Sequence, residues 1–168
     1  FSAIMVHFVP LLVWKGLEER TAALYVAPMS FLSVFAHLVL GWLADRWPKP
    51  RILALGMTSG TAALLVLLYG GTATLWLFLL LFVWVEAGFP VTWATVGDFF
   101  GRRHFASVRG FITLFVMLGP VAAPVFAGRV YDTTGGYTLA LQVFIILFSL
   151  SAVVFWMLRP PKLSPLRS

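Results

Sequence analysis

Apolar residues run almost without interruption over 1–14, 22–44, 52–69, 73–97, 110–128 and 138–158, and the polar residues gather in the short stretches between those runs. A helix rises 1.5 Å per residue, so a run of about 17–25 apolar residues is what crosses the hydrocarbon core of a bilayer. The pattern predicts five complete membrane-spanning helices preceded by a partial one, because 1–14 is too short to cross alone. No basic stretch or small-residue cleavage site precedes Pro10, so 1–14 reads as the end of a helix whose beginning lies outside the sequence and not as a secretory signal.

Composition agrees with the pattern. Hydrophobic residues make up 61% of the chain, charged residues 11%, and mean hydropathy is +0.96, whereas soluble domains carry about 25% charged residues. The expected fold class is an all-α membrane protein with no room for a soluble domain. Cysteine is absent, which excludes disulfides, zinc–thiolate sites and thiol catalysis.

The net charge of +6 acquires a meaning once the bases are placed. Of the twelve Lys and Arg, nine (Arg46, Lys49, Arg51, Arg102, Arg103, Arg109, Arg159, Lys162, Arg167) fall on one side of the predicted spans, and Lys15, Arg20 and Arg129 fall on the other. This bias predicts that Asp45–Arg51, Asp98–Arg109 and the C-terminus are cytoplasmic, in a plasma membrane or bacterial inner membrane. The partner that the positive charge implies is anionic lipid and not nucleic acid. Trp14, Trp47, Trp76 and Trp156 fall near span ends, where indoles prefer the headgroup region.

An internal echo links two spans. Leu40–Asp45 (LGWLAD) closes the second run and Ala127–Asp132 (AGRVYD) closes the fifth, each with a glycine four residues before an aspartate. Three spans separate them, so the copies lie on opposite membrane faces, as an inverted repeat of three helices plus three predicts.

Polar side chains inside the runs are the candidate chemistry, since each costs free energy in lipid. Ser30, Ser33, His37 and Gly41 share one face of the second span by their helical spacing. Glu86 sits near the middle of the fourth, with Pro90, Trp93 and Gly97 following at helical spacing. A carboxylate at that depth costs about 2.5–3.5 kcal/mol on insertion scales, and its proton is exchanged as hydration changes, which is the property of a proton carrier. His7 precedes Pro10, where a kink is expected. Glu86, His37, His7 and Ser33 are therefore the candidate solute or proton residues. Gly56–Gly60 (GMTSG) predicts close helix packing, and Pro120, Pro124 and Gly128 predict bending.

Gly41, Leu43, Ala44, Asp45, Arg46, Lys49 and Arg51 resemble the G-x-L-A-D-R-x-G-R-R-R signature of the major facilitator superfamily, and Asp98–Gly110 resembles the family's loop between helices ten and eleven. The resemblance implies a C-terminal half of that fold over 1–168, with helix seven partial and helices eight to twelve complete, and an N-terminal half elsewhere in the same protein. It also implies a cytoplasmic gate built from Gly41, Asp45, Arg46, Lys49, Arg51, Asp98, Arg102 and Arg103, with Asp45 facing a helix N-terminus. Pro48 and Pro50 depart from the signature, so the turn must rest on proline-fixed backbone.

Met5–Leu12, Gly101–Gly110 and Gly128–Thr138 resemble the monocarboxylate and oxalate–formate branch. His37 stands where many members of that branch carry an arginine for the substrate carboxylate. An imidazole is mostly neutral at pH 7, so here the anion is bound differently or binding depends on pH.

The expected function is secondary active transport of a small solute, an organic anion such as a carboxylate, by alternating access and with a proton as the possible coupling ion. The alternative is a non-transporting six-helix scaffold or receptor. Enzymatic activity is not expected: there is no HExxH, paired-aspartate or complete G-x-S-x-G motif. No cofactor or metal is expected either.

Overall fold

The computed structural model describes residues 1–159, except for the side chains of Arg102 and Arg103. Those two gate bases, and Lys162 and Arg167 of the tail, lie outside the described residues. Among the described residues eight α-helices follow one another: α1 Ser2–Val6, α2 Phe8–Trp14, α3 Glu19–Leu24, α4 Val26–Ala44, α5 Lys49–Tyr69, α6 Leu75–Val116, α7 Leu118–Thr134 and α8 Thr138–Met157. A 3-10 turn over Thr72–Thr74 leads into α6. Five stretches are long and apolar enough to span a membrane: Glu19–Ala44, Lys49–Tyr69, Thr72–Gly101, His104–Thr134 and Thr138–Met157. They overlie the five complete runs of the sequence pattern, extended by a few residues at most ends.

Proline places three of the breaks. α1 ends at Val6, α3 at Leu24 and α6 at Val116, each four residues before a proline: Pro10, Pro28 and Pro120. A proline nitrogen cannot donate to the carbonyl four residues back, and its ring crowds that carbonyl, so the ladder stops there and resumes one residue later. Pro90 and Pro124 are tolerated inside α6 and α7. Pro48 and Pro50 open α5, at the N-cap and in the first turn, where a missing N–H leaves no bond unmade. The departure from the sequence signature is thus a helix start.

The stretch Asp98–Arg109, expected as a loop, is helical instead. α6 runs to Phe100, reverses at Gly101 (φ 70°, ψ 170°) and is helical again to Val116. Apart from Gly101 the stretch contains no helix breaker, so one residue makes the turn that a loop was expected to make. Those dihedrals are nearly glycine-only, and side chains placed there cost about 1–3 kcal/mol. A Cβ at Gly101 meets no atom within 4 Å, so strain is the whole effect. Gly101→Ala should lower the unfolding temperature of the complete protein, whereas Gly110→Ala, equally unobstructed and without a positive φ, should not; thermal unfolding followed by tryptophan fluorescence checks both.

The core lies where α5 packs along α6 and α8 and where α4 packs on α6. Phe78, Leu79 and Phe82 of α6, Leu64 and Leu67 of α5 and Leu141 of α8 are essentially sealed. The GMTSG stretch has the expected role: Cβ atoms at Gly56 and Gly60 would lie 3.2 Å from the Trp84 carbonyl and 2.5 Å from Val85, and Ser59 donates to the Leu81 carbonyl at 2.7 Å. α7 docks mainly on α1 and leaves Phe111, Leu114, Phe115, Leu118, Val121 and Val125, on α7 and the end of α6, exposed.

Contacts at the helix ends fix the alternation of faces. Lys15 donates to the Leu68 carbonyl at 3.2 Å, and Trp14 meets Tyr137 edge-on, joining three connections at one end of the bundle. At the other end Lys49 pairs with Asp98 and Arg51 lies over Trp156. The two ends are those that the charge count separates.

Candidate functional site

Glu86 lies at the middle of the Thr72–Gly101 span, and α4 brings two polar side chains to it. Ser33 Oγ donates to Glu86 Oε2 at 2.8 Å and lies 3.3 Å from His37 Nδ1. His37 Nδ1 is also 2.8 Å from the Ser33 carbonyl. A carbonyl only accepts, so Nδ1 carries the ring proton and Nε2 is the free nitrogen of the neutral ring. The Ser33 hydroxyl then takes the longer arm of the Nδ1–H bond that the Ser33 carbonyl shares, while donating to Glu86. Three of the four candidate solute or proton residues thus form one hydrogen-bonded chain between α4 and α6.

The remaining members of the predicted α4 face do not join them. Ser30 is exposed and donates back to the Val26 carbonyl, and nothing lies within 4 Å of a Cβ at Gly41. The buried stripe of α4 is Met29, Ser33, Ala36, Leu40 and Ala44. It runs beside the polar stripe and shares only Ser33 with it, so the polar positions border the core instead of entering it.

A cavity of about 570 Å3 opens beside this chain of groups, within the usual range for small-molecule sites. His37, Glu86, Thr92 and Ser151 are its polar lining; Met57, Val85, Phe89, Pro90, Leu147 and Phe148 supply most of the apolar wall. Neither lysine nor arginine lines it among the described residues. Of Pro90, Trp93 and Gly97, Pro90 alone reaches the cavity. Trp93 lies under the Arg109 guanidinium at 4.9 Å with its buried Nε1 unpartnered, and Gly97 packs on Phe105. Thr92, Ser151 and Met57 carried no sequence signal, because one hydroxyl or thioether in an apolar run is ordinary packing.

His7 belongs to a separate cluster. It caps the break between α1 and α2, its Nε2 donates to the Pro124 carbonyl at 3.0 Å, and its Nδ1 faces the Tyr137 hydroxyl at 3.0 Å. Burial, together with Tyr131 and Asp132, pushes the Tyr137 pKa up, so its O–H remains the donor to Nδ1. This arrangement ties α1, α7 and α8 together.

At the opposite end, Lys49 Nζ and Asp98 Oδ2 are 2.7 Å apart and partly exposed, so the pair is worth at most about 1 kcal/mol. Arg46 donates to the Trp42 carbonyl and stacks on the Trp42 ring at 4.1 Å. Asp45 closes α4 as its C-cap residue, and the N-cap residue of α5, Pro48, makes no side-chain cap.

The chain is thus a helical bundle with five membrane-capable spans and a half-buried carboxyl and imidazole on a midspan cavity, and the family comparison gives its class. The model of the Major Facilitator Superfamily matches residues 1–168, and the chain belongs to that family, whose members are integral multi-pass membrane transporters and not enzymes. Among curated relatives, human monocarboxylate transporter 11 is 32% identical over 145 residues, covering 79% of this chain and 31% of that protein. Human monocarboxylate transporter 2 is 31% identical over 148 residues, covering 82% and 30%. An uncharacterized MFS-type transporter of Schizosaccharomyces pombe is 29% identical over 144 residues, covering 82% and 32%. The chain spans about a third of the length of these relatives. No solved structure matches it.

Proposed function

We propose that the complete protein is a secondary transporter for a small organic anion, driven by a proton and working by alternating access. In this reading residues 1–168 form the half that contains helices seven to twelve, and an N-terminal half supplies the other cavity wall. The observation that carries it is the Glu86–Ser33–His37 chain on the midspan cavity. Buried ionisable groups in a span are costly, and these three face one another and a space of solute size. Glu86 holds the coupling proton, and His37, the one basic side chain that lines the cavity among the described residues, meets the anion. The resemblance of relatives named for monocarboxylates supports that substrate class. The Lys49–Asp98 pair belongs to the cytoplasmic gate: a bond this weak can close one conformation without trapping it. The C-terminus lies on that cytoplasmic side, consistent with the placement of the bases.

The test is uptake by the complete protein in liposomes, with labelled acetate, lactate, benzoate and the dianion succinate. An inward proton gradient should raise uptake of at least one monoanion above that of protein-free liposomes. Gradient-independent or absent uptake of every compound would overturn the proposal.

A further inference from the structure

We propose that Ser33 is a proton-relay residue, passing to Glu86 a proton that enters from the cavity at His37 Nε2. The inference rests on the transport reading above and adds the route and order of proton movement.

His37 and Glu86 share no direct hydrogen bond among the described contacts; the Ser33 hydroxyl is what joins them. The polarity is fixed by the Ser33 carbonyl, which holds the imidazole proton on Nδ1 and so leaves Nε2 to receive. In the relay a proton binds Nε2, the Nδ1 proton moves to Ser33 Oγ, and the hydroxyl proton of Ser33 moves to Glu86 Oε2. Three N–H or O–H bonds form, at Nε2, Ser33 Oγ and Glu86 Oε2, and three break: Nδ1–H, the old Ser33 O–H and the O–H of the hydronium ion that delivers the proton from the cavity. His37 ends neutral with its proton on Nε2, Ser33 is unchanged, and Glu86 is neutral. The distances along the route, 3.3 Å and 2.8 Å, are of hydrogen-bond order, the first a long one that must shorten for transfer.

Among the described residues no other side chain that lines the cavity takes up a proton in the physiological range. α5 contributes Met57, α6 contributes Thr92 beside Glu86 itself, and α8 contributes Leu147, Phe148 and Ser151. None of these titrates in the physiological range, so His37 is the entry and Glu86 the terminus. Ser33 is only 8% exposed, so its hydroxyl meets His37 and Glu86 and not bulk solvent. The route explains why a serine occupies the buried stripe of α4 among Met29, Ala36, Leu40 and Ala44: alanine would pack equally well there but carry no proton.

The experiment is a rapid acid jump on the complete protein in lipid nanodiscs, read by time-resolved infrared difference spectroscopy. The protonated-carboxyl band of Glu86 is assigned by its loss in Glu86→Gln. Ser33→Ala should slow the rise of that band by about tenfold or more, the effect of losing one hydrogen bond along the route. Ser33→Thr, which keeps a hydroxyl, should rise at close to the wild-type rate. His37→Gln, which leaves the Ser33–Glu86 bond in place, should slow it as Ser33→Ala does. An unchanged rate in Ser33→Ala or in His37→Gln, or the absence of a Glu86 band, overturns the relay. The measurement needs no solute, so a failed uptake screen removes the transport reading and leaves this result standing by itself.

Discussion

In the complete protein, Glu86→Gln should abolish accumulation of solute driven by an inward proton gradient and leave solute exchange across the membrane intact. Glutamine has the shape and hydrogen-bonding reach of a protonated glutamic acid, so Ser33 retains its partner and the cavity its lining. What is lost is the ability to change charge. A carrier fixed in the proton-loaded form binds and reorients with solute on either side, but it cannot release the proton that makes net uptake directional. The two assays therefore separate: gradient-driven uptake falls to the level of liposomes without protein, while labelled solute still exchanges with unlabelled. The measurement is paired, on the same liposomes, with and without an imposed pH difference. Accumulation that persists in the variant at every pH would remove Glu86 from coupling, and loss of both activities would make it a packing residue.

The spans were legible because lipid imposes a coarse rule. Every residue from Leu75 to Val85 satisfies it, and nothing finer than apolar length is needed to find the helix. Glu86 and His37 were legible for the opposite reason, as violations of that rule, and both come to one cavity. What the pattern could not give was pairing across helices. Lys49 and Asp98 were each visible as polar residues at a membrane face, yet their 2.7 Å contact depends on how α5 packs against α6. His7 shows the same limit. An imidazole beside Pro10 reads equally as a cavity group or a structural clasp, and only the positions of Tyr137 and the Pro124 carbonyl, more than a hundred residues away, distinguish them. The helix through Asp98–Arg109 was hidden differently. Charges mark a membrane face but do not say whether the backbone there is coiled or helical, and here the helix is interrupted only at Gly101.

The second large effect is expected at Gly60, where three helices converge. A Cβ there would lie 2.5 Å from Val85 Cγ2 on α6 and 2.7 Å from Phe148 Cδ1 on α8, closer than carbon atoms approach in a packed interior. Val85 and Phe148 also line the cavity, so any side chain at position 60 pushes α6 and α8 outward or drives these two residues into that cavity. Overpacking of this kind costs about 1–3 kcal/mol. Gly60→Val, which adds two methyl groups beyond that Cβ, should exceed Gly60→Ala in both loss of thermal stability and loss of uptake. The cause can be isolated with Phe148→Ala, which removes one of the two obstructing side chains. Residues in contact are not additive, so Gly60→Ala should cost less in the Phe148→Ala background than in the wild type, measured as the change in unfolding temperature by tryptophan fluorescence in detergent. Equal costs in the two backgrounds would mean that α8 is not what Gly60 accommodates. A Gly60→Val variant as stable and active as the parent would mean that α5, α6 and α8 do not meet at this position in the assembled transporter.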